Sequence, residues 1–328
     1  MAGIGIIFNP RSGHFRRHPG SGLRLARALG SHGIVREVSS IEALYRAAEE
    51  FRGLDIELLG ISGGDGTNST TLSGFLEVYG ERALPPIALL RGGTANTLAD
   101  SMGVPHGRPE RQLARLVRAY RQPLRHVERR MMQVRGENSR RCDALTDAPR
   151  YGFLFGTGVV AGYLREYYAA GQPSAWVASK TLLRGIGSTL VRGPMIRRMA
   201  KPFHGSVELD DGTAWQERDY FAVAAGTIEQ IGLGFKPFYR SHECLDAFHL
   251  LGIHTSPWGF VQQLPNVRRG RTMGPEHTHE ALAKHVKLHA SERRLTYMVD
   301  GDLYECEGGL ELSLGPALKI VATEQSQH

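Results

Sequence analysis

Gly63-Gly64-Asp65-Gly66-Thr67 is the stretch of this 328-residue chain best equipped for chemistry. An apolar run, Ile56 to Ile61, reads as a buried strand. It breaks into glycines around one carboxylate, then into hydroxyl residues and a helical pattern from Thr67 to Tyr79. Glycines carry no Cβ and let a backbone approach a bulky group. Their N–H groups, with the N-terminus of the following helix, form an anion site. A carboxylate inside an anion site calls for a metal ion between the two charges, so Asp65 is expected to face a Mg²⁺-nucleotide. The plain alternative is a tight strand-to-helix turn with an Asp N-cap. Two further stretches weigh against it: Asn9-Pro10-Arg11-Ser12-Gly13 and Gly92-Gly93-Thr94-Ala95-Asn96.

The elements before these stretches explain how they could meet. Gly3–Phe8 reads as a short buried strand ending in the Asn9 turn. Leu23, Ala26 and Leu29, with Leu25 and Ala28 beside them, recur at helical spacing, and Gly30 to Gly33 close that helix. A strand over Ile34–Val38, a helix over Ala43–Phe51, the strand ending at Ser62 and a strand over Ile87–Leu90 follow, and Pro109 opens another helix. Strands alternating with helices imply a parallel sheet flanked by helices. Ligands of such sheets bind beyond the carboxyl ends of the strands. All three turns follow strands, so all three can converge on one crevice.

After about Pro123 the texture changes. Short strand-like runs (Arg129–Val134, Tyr151–Phe155, Gly205–Leu209, Tyr220–Ala224, Ala247–Ile253, Val286–Ala290, Leu295–Val299, Leu310–Leu314) alternate with turns such as Asp300-Gly301-Asp302. They imply a mainly antiparallel β-sandwich second domain. One helix, roughly Ala161–Ala170, interrupts it, and an irregular stretch follows. The expected division is 1–124 for an α/β nucleotide-binding domain and 125–328 for the β-sandwich, with the extreme C-terminal strand packing back on the first domain.

The net charge is +7 with 41% hydrophobic residues, which favours an anionic partner over a neutral one. Three scattered cysteines (Cys142, Cys244, Cys306) form neither a disulfide framework nor a zinc ribbon and suit a reducing cytosol. His277, His279, His285 and His289 have no acid or thiol at ligand spacing and read as a strand face. Early entry into the first strand leaves no room for a signal peptide, and no apolar run approaches the ~20 residues of a spanning helix. No aromatic stacking platform or reading helix points to nucleic acid.

Taken together, the three turns resemble those of the diacylglycerol kinase catalytic family, which includes bacterial lipid kinases and sphingosine and ceramide kinases. Phe155-Gly156-Thr157-Gly158 and Ile231-Gly232-Leu233-Gly234 sit where that family has glycine turns, and Val299-Asp300-Gly301-Asp302 is similar to its C-terminal Asp-Gly-Glu. The resemblance implies an ATP site between two domains and phosphoryl transfer to a lipid hydroxyl, most simply of diacylglycerol. On it, Asn9, Pro10, Arg11, Ser12 and Gly13 contact the nucleotide, and Gly63, Gly64, Gly66 and Thr67 cradle the phosphates. Asp65 organises the nucleotide-bound Mg²⁺, Gly92, Gly93, Thr94 and Asn96 complete the pocket, and Asp300 is the general base.

The chain departs from the family pattern in several places. Ser69-Thr70 stand where Asn-Glu is usual, Asp302 where Glu is usual, and Glu128 where an Asp of the same network lies. His242-Glu243-Cys244-Leu245-Asp246 replaces the segment serving a structural Mg²⁺ in some bacterial members, which argues against that second metal site.

Residues 176–201 contain Lys180, Arg184, Arg197 and Arg198 among apolar residues, and no acid occurs between Glu166 and Glu208. The mixture suits an anionic membrane surface and a cytoplasmic, peripherally bound protein; the alternative is a solvated face packed on the second domain. Two other functions stay open. An NAD kinase shares the glycine–aspartate string and phosphorylates a soluble nucleotide, and a binding module would keep the nucleotide site without the chemistry. A Walker-type kinase is excluded, because no Gly-Lys pair occurs.

Overall fold

The structure is a computed structural model and describes residues 3–93, 96–141, 144–145, 149–170, 175–190 and 193–322. Arg130–Pro316 forms one compact unit, and the chain on either side of it forms the other.

The first unit is a parallel sheet with helices on both faces. In chain order it holds β1 (Ile4–Phe8), α1 (Gly13–Arg17), α2 (Ser21–Leu29), β2 (Gly33–Glu37), α3 (Ile41–Gly53), β3 (Leu58–Gly63), α4 (Asp65–Tyr79), β4 (Ile87–Arg91), α5 (Thr97–Ser101) and α6 (Pro109–Ala119). The strand order is β4-β3-β1-β2, every pair parallel.

Alternation along β1 explains the two layers. Ile4, Ile6 and Phe8 face a core with Leu25 and Leu29 of α2 and Leu113 and Leu116 of α6. Gly5 points the other way, where an added Cβ would lie 2.5 Å from the Phe51 ring of α3. That absence lets α3 lie flat on the sheet, with Phe51 against Phe75 of α4. The buried stripe of α2 runs through Ser21, Leu25 and Leu29. Leu23 is 67% exposed and Ala26 is exposed, so of the three residues at that spacing only Leu29 faces the core.

The second unit is an antiparallel sandwich. Its elements are β5 (His126–Gly136), β6 (Arg140–Arg141), β7 (Ala144–Leu145), β8 (Arg150–Gly152), β9 (Leu154–Thr157), α7 (Val159–Ala169), α8 (Ala175–Leu190), α9 (Pro194–Met199), β10 (Phe203–Leu209), β11 (Ala214–Tyr220), β12 (Ala222–Gly226), β13 (Phe248–Ile253), α10 (Pro257–Arg268), β14 (Thr278–Ala283), β15 (His285–Ala290), β16 (Arg294–Val299), β17 (Asp302–Glu307) and β18 (Leu310–Val321). The unit boundaries fall inside β5 and β18. From Ala317 on, β18 belongs to the first unit, where Ile320 pairs in parallel with Ile87 of β4.

One sheet runs β14-β13-β12-β9-β16-β17-β6-β7, and β11, β10, β15 and the start of β18 form strands of the other. The core lies between them. Val207, Val286, Leu288 and Leu312 meet Phe155, Val223, Phe248 and Tyr297 across it, all fully or almost fully buried. The stretch after α7, expected to be irregular, is mostly helical where it is described. It forms α8 and α9, packed on each other and on α7.

Candidate functional site in the first unit

Three strand-end turns are tied to one another by named hydrogen bonds. Asn9, first residue past β1, donates its backbone N–H to Ser62 O (3.2 Å), and its Nδ2 donates to Thr67 Oγ1 (3.1 Å). Its own Oδ1 accepts from Arg11 N (2.8 Å), an Asx turn that carries the chain through Pro10 into α1. His14, next after Gly13, donates its N–H to Gly92 O (2.9 Å), and Gly92 N–H donates to Gly63 O (3.0 Å). The convergence expected from the strand alternation is therefore a bonded assembly of β1, β3 and β4 ends.

Glycine is required where the turns touch. A Cβ on Gly93 would stand 2.3 Å from Gly64 Cα, and one on Gly92 would stand 2.8 Å from Gly63 N. Gly64 is the extended N-cap of α4 and supplies no side-chain cap. The leading N–H groups of this 15-residue helix have no intrahelical acceptors and lie at the positive end of its dipole. Asn96 adopts the left-handed conformation (φ 55°). Its amide closes a ring on Gly93, accepting from Gly93 N (3.0 Å) and donating to Gly93 O (3.1 Å). Thr94, expected in the pocket, lies outside the described residues.

Asp65 has a definite place. Its Oδ2 accepts from Thr97 N (2.9 Å) and its Oδ1 from Leu98 N (3.0 Å), so it caps α5 from across the turn. The expectation of a carboxylate turned toward Mg²⁺ thus meets one whose oxygens each hold one backbone donor. An ionised carboxylate offers about four lone-pair sites, so acceptor capacity remains on both.

Among the described residues, no group of three or more His, Cys, Asp or Glu could hold a metal. A nucleotide-borne Mg²⁺ needs only one or two protein carboxylates, and Asp65 fits that requirement. The nucleotide itself fits the glycine surface. Ser12 Oγ, Ser62 Oγ and Asn68 Oδ1 are buried oxygens with no partner among the described residues. Ser62 and Asn68 escaped the sequence reasoning; the only signal was polarity at the end of an apolar strand and in the buried face of α4.

A second network, also missed, holds the first turn from below. His14 Nε2 lies 3.3 Å from Glu110 Oε1 and 3.2 Å from Ser21 Oγ, and Arg24 Nε donates to the same Glu110 oxygen (3.2 Å). Burial pushes Glu110 up, but hydrogen bonds from its own backbone, Ser21, His14 and Arg24 overcome this and hold the carboxyl at about 2. Arg91, at the end of β4, is buried and bonds Val104 O and Asp100, which anchors the α5–α6 connection.

The remaining expected residues lie in the second unit. Asp300 and Gly301 both have positive φ (47° and 92°) and join β16 to β17 as a two-residue hairpin flanked by the Val299–Asp302 pair. Asp300 Oδ1 accepts from Phe153 N (2.9 Å) and Leu154 N (2.8 Å), and Tyr168 OH of α7 donates to Gly301 O (2.7 Å). Glu243 pairs with Arg240 and Asp246 with Arg130, so the carboxylates near Cys244 are engaged by arginines. His285 pairs with Glu311, His289 with Glu208, and His279 lies against the Trp215 ring. Glu128, in the first unit, is exposed.

Comparisons with known proteins follow the same outline. A search of the curated proteins finds no match. Among solved structures, the chain is similar to a putative diacylglycerol kinase from Bacillus anthracis str. Sterne, with a TM-score of 0.67 and 15% identity over 98% of this chain and 97% of that one. It is also similar to a structure described as a diacylglycerol kinase from the same organism, with a TM-score of 0.63 and 14% identity over 98% and 97%. At such identity these show a shared fold. Residues 3–128 match the diacylglycerol kinase catalytic domain. All three turns lie inside that segment, so the part of the chain that carries them is similar to the catalytic domain of diacylglycerol kinases.

Proposed function

We propose that this chain is an ATP-dependent lipid kinase that moves the γ-phosphoryl group onto a lipid hydroxyl, most simply that of diacylglycerol. The observation that carries the reading is the contact of Gly64 with Gly93 beside the N-terminus of α4, in a segment matching a kinase domain. Bound ATP would supply the phosphoryl group, and the Mg²⁺ it carries would neutralise charge developing on the departing ADP.

The chain's own residues position and bind. The leading N–H groups of α4 and the glycine surface hold the phosphates. Arg11, exposed past the Asn9 turn, adds a cation, and Asp65 keeps α5 against the glycines while offering its carboxylate to the metal. Asp300 takes the proton of the acceptor hydroxyl, its orientation fixed by the Phe153 and Leu154 amides. Phosphoryl transfer asks mainly for positioning and charge neutralisation, which these groups supply.

On the same reading, α8 meets the membrane through its exposed Lys180, Leu183 and Arg184. Arg198 is paired with Glu166 and contributes less. No helix among the described residues is long and apolar enough to cross a membrane. Unchanged vesicle binding in Lys180→Glu/Arg184→Glu would remove α8 from this role.

The test of function is transfer of label from ATP with Mg²⁺ to a panel of lipid alcohols in mixed micelles, with NAD as soluble control. Labelled lipid that disappears in Asp65→Ala and Asp300→Asn is the expected result. Label in NAD alone would replace the proposal with an NAD kinase. ATP binding without any transfer would leave a binding module, the outcome that the missing carboxylate at Ser69-Thr70 would explain.

A further inference from the structure

The first unit carries an arginine face that the nucleotide site does not use. Arg108, the residue before α6, and Arg111, Arg115 and Arg118 within it recur at intervals of three and four, so they form one stripe. All four are exposed. The opposite stripe, Leu113 and Leu116 with Gln112, is buried on the sheet.

α2 packs beside α6 and adds Arg24 and Arg27 to the same solvent side. Acid is nearly absent from both stretches. None occurs before Glu37, and Glu110 alone lies between Asp100 and Glu128. That carboxylate is spent on His14 and Arg24. Among the described residues, Arg108, Arg111, Arg115 and Arg118 have no ion-pair partner.

Neighbouring like charges at this spacing destabilise a helix in isolation. A solvated helix face ordinarily interleaves both signs, and this one does not. A set of co-directed guanidinium groups instead fits a surface of many phosphates, where each side chain meets a separate anion. The one exposed large apolar side chain on α2 or α6 is Leu23, aliphatic and 67% exposed, and neither helix contains an aromatic residue to stack on a base. An aliphatic tip among cations suits the boundary between headgroups and acyl chains.

We infer that the α2–α6 face docks on an anionic phospholipid bilayer, holding the kinase domain at the surface where its acceptor resides. The choice of a lipid over another polyanion rests on the lipid-kinase reading; the charge pattern itself does not.

The experiment uses the full chain and the variant Arg111→Gln/Arg115→Gln/Arg118→Gln, whose substitutions are exposed and keep good helix formers. Binding is read by co-sedimentation with phosphatidylglycerol vesicles, phosphatidylcholine vesicles and, separately, duplex DNA. Arg46→Gln on α3 is the control, an exposed arginine on another helix. Each basic side chain at an anionic surface is worth about fivefold, so the triple variant is expected to bind phosphatidylglycerol vesicles about a hundredfold more weakly. The control binds as the parent does, and neither binds neutral vesicles.

Equal vesicle binding by parent and triple variant would overturn the inference. So would failure of the parent to bind vesicles, or capture of DNA in preference to them. Transfer measured in uncharged micelles separates the two ideas. A parent with no lipid phosphorylation whose vesicle binding still depends on these arginines supports the docking face while removing the lipid-kinase reading.

Discussion

Gly66→Ala separates the two tasks of the glycine turn. Gly66 is exposed in the first turn of α4, its backbone is helical, and an added Cβ would meet nothing within 4 Å. For folding alone the substitution is favourable. Alanine exceeds glycine in a helix by about 0.5–1 kcal/mol, and a unit of this size gains roughly 2–4 °C per kcal/mol. The melting temperature is therefore expected to rise by about 1–4 °C. For binding it is unfavourable if phosphates lie against the leading N–H groups, because the methyl stands where the anion must come close. Loss of one hydrogen bond to a charged group costs about 1.5–3 kcal/mol, so ATP affinity should fall roughly 10- to 150-fold. Calorimetric titration with ATP, beside a thermal melt, reads both quantities on one sample. A variant that is more stable and binds ATP as the parent does would refute the phosphate cradle. Gly93→Ala cannot make this distinction, since its Cβ would collide with Gly64 and loosen the fold as well.

Other expectations follow from individual contacts. Asp65→Ala removes two charge-assisted bonds to α5 and should cost about 3 kcal/mol in urea unfolding. Asp65→Asn, which can accept with only one of its two atoms, should fall between it and the parent, and parent-like stability in both would show that the clamp carries no load. Asn96→Ala should be about 1–2 kcal/mol less stable than Asn96→Gly, because both lose the ring on Gly93 but only alanine is strained at φ 55°; equal urea midpoints would contradict this. Glu110, held at about 2 in the fold against an ordinary 4.5, contributes stability that is complete above pH 4.5 and lost as pH falls toward 2. Glu110→Gln should therefore lower stability at pH 7 by at most about 3 kcal/mol and flatten the decline between pH 5 and 2, and parallel acid limbs would refute the assignment.

The parallel sheet was legible because three of its four strands are continuous apolar runs, Ile4–Phe8, Leu58–Ile61 and Ile87–Leu90, each followed within two residues by asparagine or glycine. The sandwich strands were legible as short runs separated by turns such as Asp300-Gly301-Asp302. α8 was not, because Gly185, Gly187, Ser188 and Thr189 carry poor helix propensity. Tertiary packing overrides it: α8 packs on α7 and α9, and Thr189 Oγ1 bonds back to Gly185 O. α10 was hidden by Pro257 and Pro265, although Pro257 sits at the first position, where proline is tolerated, behind the Ser256 cap. In the site, residue types were visible and partners were not. Nothing local to Asp65 points to Thr97 and Leu98, 32 and 33 residues away, and nothing local to His14 points to Glu110.

The side chains that look most chemical in the three turns spend their hydrogen bonds on one another. Asn9 reaches Thr67, Asp65 reaches Thr97 and Leu98, Asn96 reaches Gly93, and His14 reaches Glu110. What they hold in place is main chain: the glycine contact and the leading amides of α4. A surface made of fixed backbone dipoles needs no reorganisation when an anion arrives. It tolerates replacement of neighbouring side chains so long as the backbone stays where it is. This accounts for how Ser69 and Thr70 can stand in place of Asn and Glu beside an intact glycine cradle. On the proposed function the replacement at Ser69 and Thr70 bears on the metal and the acceptor, whereas a change at Asn9, Asp65 or Asn96 moves the glycine turns themselves.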